Sequence, residues 1–431
     1  MGSSKIFSLE GKGLKLDTAA DIEPHIKELV DNQDVEEVRF QGNTLGVEAS
    51  EALAKVLDTK KKLQTANLAD IFTSRLLSEI PPALDALLKA LLALPSLHTI
   101  NLSDNAFGLN TQAPLVSFLA AHVPLRHLIL NNNGLGPAAG TLIANALSEL
   151  AEKKAAARKE GGGDDSNDVP DLETVICGRN RLENGSMAAW AKAFAAHTGV
   201  REVKMVQNGI RQEGITLLLK KGLRHAAGLR TLDLQDNTFT AMGARALSDV
   251  VGGWTELVEL GVGDSLLSAR GGVMLATALA EGKNGKLEVL RLQFNDIDAK
   301  GVKGVADALE KMPKLRRVEL NGNKFSEEDV AVDRLREALS ERKEKVAKEV
   351  DDTDDDYWGL DELDELEEED EEEEEDVADE EEREEEEDVD ADKKAEKELE
   401  RVEQAEDEKV AQKDDKEVDQ LADLLGKTEL K

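Results

Sequence analysis

With one cysteine, Cys177, in 431 residues, the chain can form no intramolecular disulfide, and nothing in it asks for an oxidising compartment. The opening MGSSKIFSLEGKG lacks the apolar core of a secretion signal, and Ile6 stands where a myristoylation pattern needs Ser or Thr. The most apolar stretch, Ala83–Leu94, is interrupted by Asp85 and Lys89, which suits an amphipathic helix and not a membrane span. The expected compartment is therefore cytosol or nucleus, with no membrane contact. Six histidines occur without metal-ligand spacing or a Cys/His cluster beside them. Gly426-Lys427-Thr428 imitates the end of a phosphate loop, but it lacks the preceding glycine and strand. No nucleophile–base pair can be assembled, so the chain does not read as an enzyme with a cofactor of its own.

Positive charge is also short. The net charge is −37, but it is unevenly placed: residues 351–390 hold 29 acidic residues against the single Arg383. Residues 391–431 hold 14 acidic and 9 basic residues, which leaves about −4 for residues 1–350. A nearly balanced body with a strongly acidic tail offers no footprint for nucleic acid, because the tail repels phosphates. The tail fits two readings equally, a solvated segment that aids solubility or a binder of basic proteins. Its last stretch, Val418–Leu430, regains amphipathic spacing, as would a stray helical end, a partner helix or an export-type leucine signal.

What the chain has in abundance is a repeat. The pattern L-x-x-L-x-L-x-x-N-x-L starts at Val35, Leu97, Leu125, Leu172, Val200, Leu229, Leu257, Leu287 and Leu315, with a degenerate copy at Leu63. Successive starts lie 28, 34, 28, 47, 28, 29, 28, 30 and 28 residues apart. Alternating apolar residues in each copy make a short strand, stacked on the same positions of its neighbours. The consensus asparagine ends the strand and satisfies turn backbone groups that would otherwise be buried unpaired. The second half, as in GARALSDVV or GVKGVADALEKM, carries helical spacing. A helix is wider than a strand, so helices fan outside and strands crowd inside. The expected fold is an α/β leucine-rich repeat solenoid, a horseshoe of the ribonuclease-inhibitor kind with its parallel sheet inside. The expected domains are an N-terminal capping repeat (1–34), about ten repeats (35–344) and an acidic, largely disordered tail (345–431). Cys177 takes an inward strand position, as Met205 and Leu234 do, and reads as core.

Two intervals break the period. The longer contains Lys153–Pro170, glycine-rich and polar, expected to be a flexible surface loop. In the shorter break the repeat loses its asparagine at Ile71, and a loop carrying Arg75 is pushed out at a strand end. The residue before each ladder asparagine forms a further column: Gly42, Asp104, Asn132, Arg179, Gln207, Asp236, Phe294 and Gly322. This column lies at the strands' C-terminal rim. Its polar and varied middle members suit either a merely soluble rim or a surface shaped for one partner. In LILNNNGLGP, Asn133 is the ladder residue, Asn131 ends the strand without a special task, and Asn132 falls in the rim column.

The segments ADIFTSR, EIPPAL, LHTINLSDNAFG, NNNGLGP, ICGRNRLENGSM, VKMVQNGIR, LDLQDNTFT, LLSARG and VELNGNKFSEED closely resemble the fungal Ran GTPase-activating proteins. The likeness spans residues 1–350 and the plan of the acidic tail. It implies a monomer that docks on the small GTPase Ran in its GTP form, together with a Ran-binding protein. It further implies stimulated hydrolysis in the cytoplasm that supports nucleocytoplasmic transport, with GTP and Mg carried by the partner. It also implies that no arginine finger is inserted: the family's loop arginine, here Arg75, anchors Ran, and its strand-end asparagine, here Asn132, positions Ran's catalytic glutamine. Leu76 and Leu77 follow Arg75 where a basic residue is expected nearby. Asp104, Arg179, Gln207 and Asp236 are the further partner-binding candidates. The rival reading is an acidic-tailed leucine-rich repeat chaperone of histones or other basic proteins.

Overall fold

The structure, a computed structural model, describes residues 4–160, 169–347 and 357–367. In chain order the strands are β1 (Ile6–Ser8), β2 (Lys15–Leu16), β3 (Glu37–Arg39), β4 (Thr44–Leu45), β5 (Thr65–Asn67), β6 (Thr99–Asn101) and β7 (His127–Ile129). They continue as β8 (Thr174–Ile176), β9 (Glu202–Lys204), β10 (Thr231–Asp233), β11 (Glu259–Gly261), β12 (Val289–Arg291), β13 (Arg317–Glu319) and β14 (Gly359–Leu360). Each of the ten repeats places its strand two residues after the first position of the pattern. Among the described residues twelve strands pair in parallel in chain order, and β2 with β4 makes a small second sheet. The pairing is in register, for example Ile100 with Leu128 and Leu128 with Val175, so like positions stack on like. The middle residue of each repeat's strand is fully buried, and so are Cys177, Met205 and Leu234. Burial pushes the Cys177 thiol up to about 12, which leaves it inert at neutral pH.

The connecting helices are α1 (Ala19–Asp31), α2 (Val47–Leu57), α3 (Ile80–Leu92), α4 (Ala113–Leu119), α5 (Gly136–Glu160) and α6 (Met187–Ala196). Beyond them lie α7 (Gln212–Leu217), α8 (Thr240–Val251), α9 (Ser268–Ala280), α10 (Ala299–Ala308) and α11 (Val330–Ala347). Their apolar faces bury residues such as Leu247, Leu275 and Val305 against the strands in one continuous core. A solenoid of this kind has no long-range closure to rely on, so each repeat holds only its neighbours.

Two side-chain ladders seal the open ends of the repeats. At the strands' C-terminal ends the asparagines form the first. Asn133 Nδ2 donates to Leu130 O (3.0 Å) and to Leu102 O of the previous repeat (3.1 Å), while its Oδ1 accepts from Asn105 N (2.8 Å). Asn180, Asn208 and Asn323 repeat this scheme, and Ser265 interrupts it. The second ladder lies at the opposite edge, where helices hand over to strands, and has no consensus residue: lysine, histidine, tryptophan and arginine all serve in it. Lys60 Nζ donates to Val30 O and Asn32 O, His122 Nε2 to Leu97 O, and Lys154 Nζ to Val123 O, Leu125 O and Pro170 O. His197 Nε2 meets Leu147 O, Trp254 Nε1 meets Leu223 O, and Arg342 meets Leu309 O and Leu315 O. The shared task is to satisfy backbone carbonyls of the helices and of the loops that lead into the strands, which any donor of the right reach can do. That freedom hides the ladder from a consensus pattern.

Two boundaries need correction. The expected loop at Lys153–Pro170 is helical through Glu160, because Lys154 and Arg158 fasten the end of α5 to Val169, Pro170 and Asp171. Residues 161–168 lie outside the described residues. The expected tail at 345–431 begins too early: α11 runs to Ala347, and residues 357–367 belong to the folded body. There β14 adds a last parallel strand to β13, and Leu363 is buried in the core. Asp361 accepts backbone bonds from Leu320 N (2.8 Å) and Asn321 N (2.9 Å), closing an edge that would otherwise present free N–H groups. Burial nonetheless pushes the Asp361 carboxyl above its ordinary range, with those backbone bonds opposing the shift. The stretch Val418–Leu430 lies outside the described residues.

Candidate functional site

The rim column of the repeats is a continuous backbone feature. Asp104 N donates to Asn131 O, Asn132 N to Gly178 O, Arg179 N to Val206 O, Gln207 N to Gln235 O, and Asp236 N to Gly263 O. Every one of these residues is left-handed, with φ of 61°, 52°, 56°, 54° and 55° respectively. The strand must turn sharply there to enter the helix, and this residue begins the turn in each repeat, with a second left-handed residue two positions on at Ala106, Gly134, Arg181 and Gly209. Neighbouring positions are therefore about 4.8 Å apart along the sheet. The five candidates Asp104, Asn132, Arg179, Gln207 and Asp236 make one row.

The left-handed geometry changes how the row is read. Asn and Asp are enriched in that region, so their presence has a local explanation. Arg179, Gln207 and Phe294 have none, and each costs the backbone on the order of 1 kcal/mol to hold there. Arg179 and Gln207 point outward and are exposed. The residue types least favoured by the turn are thus the more informative ones.

Asn132 gains its significance from a neighbour. Its Nδ2 donates to Asp104 Oδ1 at 2.8 Å across one strand step. A carboxylate only accepts, so it faces the amide nitrogen, and the Asn132 carbonyl oxygen is turned the other way. That oxygen has no partner among the described residues, and the side chain is exposed. On either side the two other asparagines are committed to the fold: Asn133 to the ladder, and Asn131 Oδ1 to Gly178 N at 2.7 Å. Asn131, assigned no task from sequence, therefore ties β7 to the chain after β8. The Asp104–Asn132 pairing was readable in principle, since the two lie one repeat of 28 residues apart in the same column.

Arg75 is placed elsewhere. Its side chain is only 7 % exposed and is turned inward under the loop. Nε donates to Thr44 Oγ1 (2.9 Å), Nη2 to Thr44 O (2.9 Å) and Leu16 O (3.3 Å), and Nη1 to Asp17 Oδ1. The guanidinium thus staples the loop to the N-terminal capping repeat. Gly46 permits this approach, since a Cβ there would lie 3.2 Å from Nη1 and 2.6 Å from Asp17 O. The partner Arg75 depresses the Asp17 carboxyl below its ordinary range. Arg75, the arginine expected to anchor Ran, is in this structure a largely buried clamp whose donors have acceptors within the chain.

Among the described residues no group of three His, Cys, Asp or Glu is placed to hold a metal ion. No helix of the described residues is long and apolar enough to cross a membrane.

Comparison with known proteins agrees with the repeat reading. The family model described as Leucine Rich repeat matches residues 229–248 and 283–306. The chain is 41 % identical over 340 residues to Ran GTPase-activating protein 1 of Saccharomyces cerevisiae, covering 77 % of this chain and 81 % of that protein. It is 33 % identical to Ran GTPase-activating protein of Drosophila melanogaster over 76 % of this chain, and spans about half of that longer protein (54 %). To the ribonuclease inhibitor of Sus scrofa it is 25 % identical over 58 % of this chain and 56 % of that one.

Proposed function

The chain belongs to the Ran GTPase-activating protein family, and from that premise we propose that it accelerates GTP hydrolysis by Ran, acting on the GTP form in the cytoplasm. The nucleotide and its magnesium belong to the partner on this reading, and the chain supplies positioning. The alternative, an acidic-tailed leucine-rich repeat chaperone of histones or other basic proteins, is not favoured by the identity shared over 340 residues.

The observation that carries the mechanism is the Asp104–Asn132 hydrogen bond. GTPases of this kind hydrolyse GTP with a water oriented by a glutamine, and disorder of that glutamine limits the rate. Asn132 presents a carbonyl oxygen of fixed direction, which accepts from the glutamine amide N–H and leaves the glutamine oxygen to hold the water. Asp104 is then a positioning residue that sets the Asn132 rotamer. A neutral amide does this without placing a second cation beside the phosphates. Rigidity comes from the rim bond to Gly178 O (2.9 Å) and the buried ladder residue Asn133 beside it. It matters because a displacement of about 1 Å costs on the order of a hundredfold in rate. Arg179, Gln207 and Asp236 extend the row as docking contacts. Arg75 contributes by holding its loop in place beneath the surface, with no guanidinium offered to the nucleotide.

The test is single-turnover hydrolysis of GTP on Ran with catalytic amounts of this chain. Acceleration by several orders of magnitude is expected. Unchanged hydrolysis overturns the reading.

A further inference from the structure

Two strand-to-helix connections are longer than the rest around Asn132. Residues 68–79 join β5 to α3 and residues 102–112 join β6 to α4, whereas 130–135 suffice between β7 and α5. Both long loops are built, not loose. Phe72 and Phe107 are buried beneath them, ring to ring at 6.3 Å and edge to face. Arg75 clamps the first loop from below, and Leu76 N donates to Glu79 Oε2. In the second, Thr111 Oγ1 donates to Ala106 O and Gln112 Nε2 to Leu109 O. Yet these ordered loops hold Leu76, Leu77 and Leu109 outward at 68 %, 61 % and 55 % exposure. The segment from 105 to 112 contains no charged residue at all. Three leucines held outward on braced loops, one and two strand steps from Asn132, are more than scattered surface apolarity.

Resting on the proposed function, we infer that Leu76, Leu77 and Leu109 are the apolar anchor on which the GTPase seats, with its glutamine thereby delivered to Asn132. The occupant is an apolar patch of the GTPase. The absence of charge between 105 and 112 leaves no electrostatic contact for that part of the surface to make. Continuity with the Asp104–Asn132 pair puts the anchor at the edge of the same footprint. Arg75 then acts on docking through the loop it braces.

The experiment compares the wild type with Leu76→Asp/Leu77→Asp, with Leu109→Asp, and with Leu142→Asp, whose leucine is exposed on α5. Steady-state hydrolysis on Ran-GTP gives KM and kcat, thermal unfolding checks the fold, and sedimentation gives the oligomeric state. The rim variants should fold normally and raise KM by about tenfold or more with kcat nearly unchanged, while Leu142→Asp should match the wild type. A wild type that accelerates hydrolysis, with rim variants of unchanged KM, overturns the inference alone. Unchanged KM with loss of self-association would hand the leucines to a second copy of the chain and also overturn it. A wild type without acceleration sinks the activator reading and the inference together.

Discussion

Acid should loosen the repeats that carry Asn132, through two histidines of the second ladder. His122 is 1 % exposed and stacks on Phe118 with ring centroids 4.7 Å apart. Its Nε2 meets Leu97 O at 2.7 Å, so Nε2 carries the proton, while buried Nδ1 has no hydrogen-bond partner. Protonating the ring would place a full charge in an apolar pocket, and burial accordingly depresses this histidine to about 4, against the opposing pull of the Leu97 and Leu92 carbonyls. His197, 6 % exposed and bonded to Leu147 O, is depressed by burial to about 4 as well. An unfolded histidine titrates near 6.5. As pH falls below that value the unfolded chain takes up protons that the folded chain refuses, so stability is full above about pH 7 and drains away toward pH 4. At pH 5 the loss is about 2 kcal/mol for each histidine, or about 4 kcal/mol for the pair, against typical domain stabilities of about 5–15 kcal/mol. Lys154 lies between them along the ladder and is depressed by burial to about 8, so it is charged in both states over this range and drops out. The assay is urea unfolding at pH 7.5, 6 and 5, followed by the fluorescence of buried Trp190 and Trp254. The comparison is His122→Gln/His197→Gln, in which each Gln can still donate to its carbonyl but cannot titrate. The double variant should lose less stability than the wild type between pH 7.5 and 5, by about 4 kcal/mol. Parallel pH profiles for the two proteins would refute the assignment.

Removing the amide with Asn132→Gly, which relaxes the left-handed backbone, should lower kcat about a hundredfold while leaving thermal unfolding unchanged. Asn133→Ala, deleting a buried ladder residue, should instead cost about 2–4 kcal/mol in urea unfolding. Asp104→Asn keeps the turn but frees the Asn132 amide to rotate, so kcat should fall by roughly tenfold with KM little changed. Arg75→Ala should destabilise the capping repeat by about 2–4 kcal/mol and speed proteolysis of the first 45 residues, because its buried carbonyl acceptors lose their donor. A chain ending at Glu367 should melt like the full length, whereas one ending at Val350 should melt lower by about 5 °C or more, having lost β14 and Leu363.

The strand register and the asparagine ladder were legible because they obey periodicity: one residue type at one spacing has one job in every repeat. The rim row was legible for the same reason, since residues 28 apart stand side by side. The second ladder was not, because Lys60, His122, Lys154, His197, Trp254 and Arg342 share a geometric task and no chemistry. The closing strand was missed for an instructive reason. In Trp358-Gly-Leu-Asp-Glu-Leu-Asp-Glu-Leu366 the acidic count outweighs three leucines at every third position, and composition cannot tell a solvated carboxylate from one that caps two backbone N–H groups.

Sequence by itself determined how many repeats there are, where each strand begins, and that Asn132 stands in a column the ladder does not need. Tertiary structure decided the direction of side chains: Arg75 turned inward to the capping repeat, Leu76, Leu77 and Leu109 turned outward, and Asn132 aimed by Asp104. Periodicity is a property of the backbone and survives in one dimension. A side chain's direction is settled by which acceptors and which free space lie within reach, and those come from residues distant in the chain, as Arg75 and Leu16 show.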